Sequence, residues 1–453
     1  MTTTYDVRFW KTKVYAGKRG TTYYVRWAVA GRECKQPFKV KALADSFRAE
    51  IMTAARKGEA FDIDTGRPLS MQRERRDRSW YEHACAFVDL KWPSAAATTR
   101  RTHAEALTAI TVRLFETERG APDPKLMRLA LGRWAFNTAK RGATDMPSDV
   151  RAALRWAAQH TSPVSALARP PVLREVLNGL ALRLDGEPGA ASVVARRRKI
   201  LNTAIEYAVE CGFLEANPLP ALKWRTPKTV QPVDRRSVAN PVQARTLLMS
   251  VGEHRIGRRL VAFYGCLYFA GLRPEEAAGL RLSNLAIPAA GWGDIHMDRA
   301  EPHAGREWTN SGENRDRRQL KQRDVGATRT VPCPPELTAM LHKHVVEFGT
   351  GPGGRLFVGE RNHEQLPRGT VNRVWREARR DAFTESTAAS PLARRPYDLR
   401  HAAVSTWLNA GISPQQVADW AGQSLEVLLR IYAKCLDGGV ALMRQRIDAS
   451  LGH

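Results

Sequence analysis

Two stretches of this chain look unlike packed core, and they constrain everything around them. Glu59–Ser79 and Lys223–Pro241 are polar and charged, without hydrophobic periodicity, and the second carries Pro227, Pro232 and Pro241. They read as linkers and divide the 453 residues into modules over 1–58, 80–222 and 242–453. Hydrophobic residues make up 43% of the chain, enough for each module to bury a core of its own.

The modules differ in pattern. In the first, Val7–Phe9, Thr22–Val29 and Gln36–Val40 are rich in β-branched and aromatic residues, with turn signals at Ala16–Gly20 and Ala30–Gly31. Lys41–Lys57 follows with Leu43, Phe47, Ile51 and Ala54/Ala55 on one helical face. A three-stranded sheet packed on one helix is expected. The second module is helical throughout. Its best helix is Ala190–Glu210, where Val194, Leu201, Ile205 and Ala208 form a stripe and Arg196, Arg197, Arg198 and Lys199 crowd one turn. The third is mixed but mainly helical: a buried helix over Leu260–Leu272, a basic hairpin over Arg318–Val331, then helices at Gly369–Thr384, Asp398–Ala410, Ser413–Ala421 and Ser424–Tyr432. The fold class expected is multidomain α+β.

Charge narrows the partner. The formal net charge is +25, carried mostly by arginine. Such an excess favours a polyanion, because each neutralised phosphate releases condensed counterions. The first module alone holds 13 Lys/Arg against 4 Asp/Glu between Tyr5 and Gly58, which suits a sheet reading DNA or a plain basic appendage. The turn Arg196–Lys199 suits a helix lying along DNA or a solvated face. The six cysteines stand singly, with neither metal-ligand spacing nor a disulfide framework. No secretory signal stands at the N-terminus, and Leu260–Leu272 falls short of the ~20 apolar residues that span a bilayer. A cytoplasmic protein is expected, with no membrane partner.

Four local patterns stand out in order: GLRPEEAAGL (Gly271–Leu280), LKQRDVGATRTVPCP (Leu320–Pro334), RPYDLRHAAVSTWLNAG (Arg395–Gly411) and WAGQSLEVLLRIYAKC (Trp420–Cys435). Together they resemble the catalytic domain of the tyrosine recombinase (phage integrase) family, most closely integrases of mobile elements in GC-rich bacteria. The segment ARRRKILNTAIEYAVECGFLEANPL looks like that family's core-binding domain, and the first sheet is similar to its arm-type DNA-binding module. The resemblance implies a site-specific recombinase that cleaves one DNA strand to a 3′-phosphotyrosine and a free 5′ hydroxyl. It implies duplex DNA with specific attachment sites as partner, a homotetramer on that DNA, and accessory directionality or bending factors. Bond energy is kept in the protein–DNA linkage, so neither metal nor nucleotide cofactor is expected. A type IB topoisomerase and a DNA-binding regulator with weakened catalysis remain as alternatives.

By that resemblance, Arg273 and Arg400 are the phosphate clamps. Phosphoryl transfer places charge on two non-bridging oxygens, and a guanidinium grips them through its planar fork without losing its proton. Glu276, three residues after Arg273, would hold that guanidinium, unless the pair is a surface salt bridge. Lys321 matches the family lysine that protonates the departing 5′ oxygen, although it could be one solvated charge among the neighbouring arginines. Tyr432 is the expected nucleophile, while the stripe Leu425, Leu428, Leu429, Tyr432 would by itself favour a core tyrosine. Tyr397 and Gln423 stand where the family usually has histidine, and histidine or tryptophan. Both can hydrogen-bond, but neither titrates as imidazole does. His401 lies about 100° round a helix from Arg400 and is expected to pack or to touch the DNA backbone.

Overall fold

The computed structural model describes residues 2–17, 20–71, 77–228, 232–320, 328–360, 363–432 and 440–451. The chain forms two compact units, Met1–Lys91 with His103–Pro227 and Trp92–Thr102 with Lys228–His453. The architecture is multidomain α+β, mainly helical with small antiparallel sheets.

In the first unit, Gly20–Val29 is the middle strand of an antiparallel sheet. Arg32–Phe38 pairs along one edge. The other edge is shared by Val7–Phe9, opposite Val29 to Trp27, and Lys13–Gly17, opposite Tyr24 to Gly20. Val7–Phe9 is the strand expected there, while Lys13–Gly17 is a further strand that pairs through Ala16 and Gly17, where a turn was expected, so the sheet has four strands rather than three. Val25, Trp27 and Val29 alternate onto one face. Ala44, Ile51 and Ala54 of the helix Lys41–Arg56 cover them. Phe61 is fully buried in the same core, Phe61–Asp62 pairs with Thr3–Thr4, and Trp27 Nε1 donates to Gly66 O. The expected linker from Glu59 is therefore packed at its start. Burying a phenyl ring contributes about 1.5–3 kcal/mol, which outweighs the polar character of its neighbours.

The rest of this unit is helical, including Trp80–Lys91, Ser148–His160, Pro170–Leu180 and Ala191–Glu210. The stripe Val194, Leu201, Ile205 and Ala208 is buried as expected. Trp92–Thr102, expected within the helical module, belong to the second unit. There Arg100 Nη1 donates to Trp308 O (3.0 Å) and Asn310 Oδ1 (2.7 Å), and Arg101 Nη1 donates to Ala304 O (3.0 Å).

The second unit is built around Val261–Phe269, a helix apolar on every side and therefore buried on every side. Pro241–Glu253, Pro335–Phe348, Arg368–Ala382 and Asp398–Asn409 contribute to the surrounding core. The first of these starts at a reciprocal cap, in which Asn240 Oδ1 accepts from Gln243 N and Gln243 Oε1 accepts from Asn240 N. A small sheet runs Leu285–Ala286, Gly293–Met297, Arg329–Cys333. The expected hairpin over Arg318–Val331 does not form among the described residues: Arg318–Gln319 pairs with Arg299–Ala300, while Arg329–Cys333 pairs with Gly293–Met297. Pairing with the earlier strand sets Val331 beside Ile295, both fully buried, which a local hairpin would not do. A second cluster gathers Val404, Leu408, Val417, Ala421, Leu428 and Tyr432 from the helices Asp398–Asn409, Pro414–Ala421 and Leu425–Tyr432. Among the described residues no helix is long and apolar enough to cross a membrane.

Candidate active site

The buried helix stops at Gly271, whose φ of +56° suits glycine, and a Cβ there would lie 2.8 Å from the Trp407 ring. The chain then reaches Arg273, which caps the short helix Pro274–Ala277 rather than lying within it. Glu276 reaches back, accepting from Arg273 N (2.8 Å) and from Arg273 Nη1 (2.7 Å). This carboxylate is only 1% exposed, so the pair is no surface salt bridge.

A third arginine, to which the sequence assigns no role, completes the cluster. Arg329, at the start of its strand, grips Glu276 through both ends of its fork, at 3.1 and 2.9 Å. Burial would raise the Glu276 pKa, but Arg329 and Arg273 pull it down to about 2. Burial opposes the Arg273 charge, yet Glu276 holds that guanidinium above its ordinary value.

Arg400 is wholly buried on the helix Asp398–Asn409. Its Nη1 donates to Gly271 O and its Nη2 to Ala421 O (2.6 Å). Burial, reinforced by the nearby Arg273 charge, lowers its pKa. Burying an unpaired charge is costly, and these carbonyl dipoles offset only part of that cost. Two guanidinium groups are thus bonded to one carboxylate with the Arg400 charge nearby, an excess of positive charge suited to an anion.

The turn at residues 421–423 ties the cluster together. Ala421 O accepts from Arg400, and Gly422 O accepts from Arg273 Nη2 (2.6 Å). A Cβ on Gly422 would stand 1.9 Å from Arg329 Nη1. Gly422 is thus required by packing as well as by its φ of +62°. Beside it, Gln423 Nε2 is buried without a partner, as are Arg400 Nε and Arg329 Nε. Orphaned buried donors are rare because each forfeits a hydrogen bond to water. Three of them lie on residues meeting at one turn, where acceptor oxygens would satisfy them.

Tyr432 ends the helix Leu425–Tyr432 and is 2% exposed. Leu425 and Leu429 are solvent-exposed, so the expected stripe narrows to Leu428 and Tyr432. The phenol oxygen lies 2.8 Å from His401 Nδ1. His401 thus packs as expected and also hydrogen-bonds the phenol. Its ring stacks edge-on against Tyr397 (5.1 Å) and Tyr432 (5.6 Å). Burial, with Arg400 and Arg395 adding to it against Asp398, lowers its pKa to about 4.

Tyr397 precedes the same helix and faces a cavity of about 810 Å³ lined by Arg101, Arg315, Arg368, Arg376, Arg394 and Arg395 among others. Among the described residues its lining carries a single carboxylate, Glu275. Lys321 lies outside the described residues. Arg273, Glu276, Arg400 and Gln423 come together as expected, with Tyr432 and Tyr397 joined to them through the His401–Arg400 helix. Arg196–Lys199 belong to the other unit. There Arg197 Nη1 donates to Leu180 O and Leu182 O (3.2 and 3.3 Å), while Arg196 and Lys199 stay exposed. Sequence reasoning passed over Arg329, Gly422 and the hydrogen bond from His401 to Tyr432. The adjacent Arg-His pair and the glycine before Gln423 were the available signals.

No protein-family model matches the chain, and no curated protein matches it in sequence. Solved structures do match in fold. The Tn1549 transposon integrase (residues 82–397, R225K) in complex with a circular intermediate DNA is 14% identical, with a TM-score of 0.50, over 71% of this chain and 99% of that one. This chain has a tyrosine-recombinase fold. A lambda integrase dimer bound to a COC′ core site matches at 12% identity and TM-score 0.47, over 91% of each chain. The XerH recombinase bound to a palindromic difH substrate matches at 12% and 0.45, over 82% of this chain and 95% of that one. At these identities, the likeness to known tyrosine recombinases is one of fold, and roles for individual residues must come from the site itself.

Proposed function

We propose that this protein is a site-specific DNA recombinase that cleaves and rejoins strands through a 3′-phosphotyrosine on Tyr432. The observation that carries the reading is the pair Arg273 and Arg329 on the buried Glu276 carboxylate beside the buried Arg400, with unpartnered donors on Gln423, Arg400 and Arg329 and a tyrosine hydroxyl on the adjoining helix. Arg273 and Arg400 hold the non-bridging oxygens of the scissile phosphate, and Gln423 donates its amide N–H. Glu276 and Arg329 position Arg273. Tyr432 attacks phosphorus, and Lys321 protonates the departing 5′ oxygen. The DNA-bound Tn1549 relative and the net charge of +25 support duplex DNA as the partner. The full reading includes attachment sites flanking a mobile element, which the protein integrates or excises, and four copies acting on two duplexes.

The test is incubation of the full chain with a nicked suicide duplex carrying the element's own attachment site. A DNA adduct that survives SDS in the natural protein and is lost in Tyr432→Phe is expected. A natural protein that binds the duplex yet forms no adduct would instead be a DNA-binding regulator. An adduct that persists in Tyr432→Phe would refute the nucleophile.

A further inference from the structure

We propose that His401 takes the phenolic proton of Tyr432 during strand cleavage and returns it on rejoining, an inference that rests on the recombinase reading above. A phenol with a pKa near 10 is almost wholly protonated at neutral pH, so attack on phosphorus needs an acceptor for that proton. The residue three before Arg400 would supply an imidazole by family resemblance, but here it is Tyr397, which cannot do so near neutrality. One turn further along the same helix, His401 Nδ1 lies 2.8 Å from the Tyr432 oxygen, within reach for direct transfer.

The surroundings keep this imidazole free to accept. From its own helix and the turn before it, Asp398, Arg400 and Arg395 act on the ring, and Tyr397 lies against its edge. Asp398 is itself engaged, accepting from Arg395 N (2.8 Å) and Arg395 Nη2 (2.9 Å). From the facing helix Leu425–Tyr432 the ring meets Tyr432. Burial and the two arginines disfavour the imidazolium, so the ring is neutral at physiological pH. With its proton on Nε2, Nδ1 presents a lone pair to the phenol.

The step balances. The Tyr432 O–H bond breaks and its proton moves to His401 Nδ1, while the oxygen's electron pair forms the bond to phosphorus. The P–O5′ bond breaks, its pair stays on the 5′ oxygen, and an ammonium, that of Lys321, protonates it. On rejoining, a 5′ hydroxyl attacks phosphorus and gives its proton to that amine. The bond to Tyr432 breaks, and the phenolate recovers its proton from His401. The same positive surroundings that disfavour imidazolium also favour rapid return of that proton.

The readout is single-turnover cleavage of the suicide duplex by the full chain between pH 6 and 9. The natural protein is expected to cleave at a nearly constant rate, since its base is neutral and its phenol protonated throughout. His401→Gln keeps a hydrogen-bond acceptor but cannot carry the proton. Cleavage should fall about 100-fold or more at pH 7 and rise about tenfold per pH unit, as hydroxide takes over. A glutamine variant that is equally fast, or slower with a flat profile, would overturn the proposal, the second outcome indicating a structural role. Duplex binding and thermal melting check folding, and His401→Asn replaces the glutamine variant if it fails. The natural protein's profile tests the proposal without any variant: a tenfold rise per pH unit would show that no internal base takes the proton. Failure of the natural protein to form any adduct would sink the recombinase reading instead.

Discussion

Two arginine-rich places in this molecule look alike as sequence and are opposites as structure. In the helix Ala191–Glu210, Arg196 and Lys199 are exposed, and Arg197 is half-buried against the carbonyls of Leu180 and Leu182. Around Glu276, Arg329 and Arg400 are almost fully buried, and each is fixed by two hydrogen bonds. Exposed charges in high dielectric adapt to a phosphate backbone at little cost and contribute affinity that salt screens. Buried, preorganised donors are costly to assemble but need no reorganisation when charge develops on a phosphorane. On the proposed function, the first arrangement holds DNA and the second changes it.

If that contrast is right, the largest effect comes from Arg400→Lys. It keeps the charge but cannot reach both Gly271 O and Ala421 O, so single-turnover cleavage should fall about 10³-fold while duplex affinity changes little. Near-normal cleavage by the lysine variant would place Arg400 outside the phosphate site.

Next comes Glu276→Gln, read as stability. The folded pKa of Glu276 is depressed to about 2 from an ordinary 4.5, so the stabilisation is complete above 4.5 and is lost as pH falls toward 2. The shift corresponds to about 3 kcal/mol. Urea unfolding should find the glutamine variant less stable by roughly that amount at pH 7, with the gap narrowing as pH falls from about 4.5 toward 2. A gap that stays constant over that range would mean that Glu276 does not carry this charge coupling.

Gln423→Ala removes one donor while leaving the arginines in place, and cleavage should slow about 100-fold. Gln423→His should stay close to the natural rate, because an imidazole N–H can reach the same oxygen. An alanine variant as fast as the natural protein would remove Gln423 from the site. The smallest effect belongs to the exposed turn. Arg196→Ala with Lys199→Ala should weaken binding to any duplex and lower the magnitude of the salt slope by about 2, leaving the cleavage rate of bound DNA unchanged. A change in that rate with an unaltered salt slope would reverse the two roles.

Much of the site was legible from residue types and spacing. Glycine before Leu-Arg-Pro after an apolar run, Arg400 in its helix, Gln423 beyond a helix stop and Tyr432 nine residues later all lie on local elements whose patterns are plain. The sheet and helix of the first module and the stripe of Ala191–Glu210 were legible for the same reason, since periodicity reports which face is buried. Three features were not. Arg329 joins Glu276 across 53 positions because its strand pairs with Gly293–Met297 rather than folding back locally, and no spacing rule anticipates a partner that far away. His401 meets Tyr432 because two helices pack through Val404, Leu408 and Leu428, which brings a side chain 31 positions earlier onto the phenol. Phe61 sits in a polar stretch and is claimed by a core assembled from distant strands. Sequence by itself determined the local elements, the excess of positive charge and the residue types able to handle a phosphate. The tertiary structure alone decided which charges share a carboxylate and which imidazole faces the Tyr432 phenol, because both depend on contacts between segments that local periodicity does not encode.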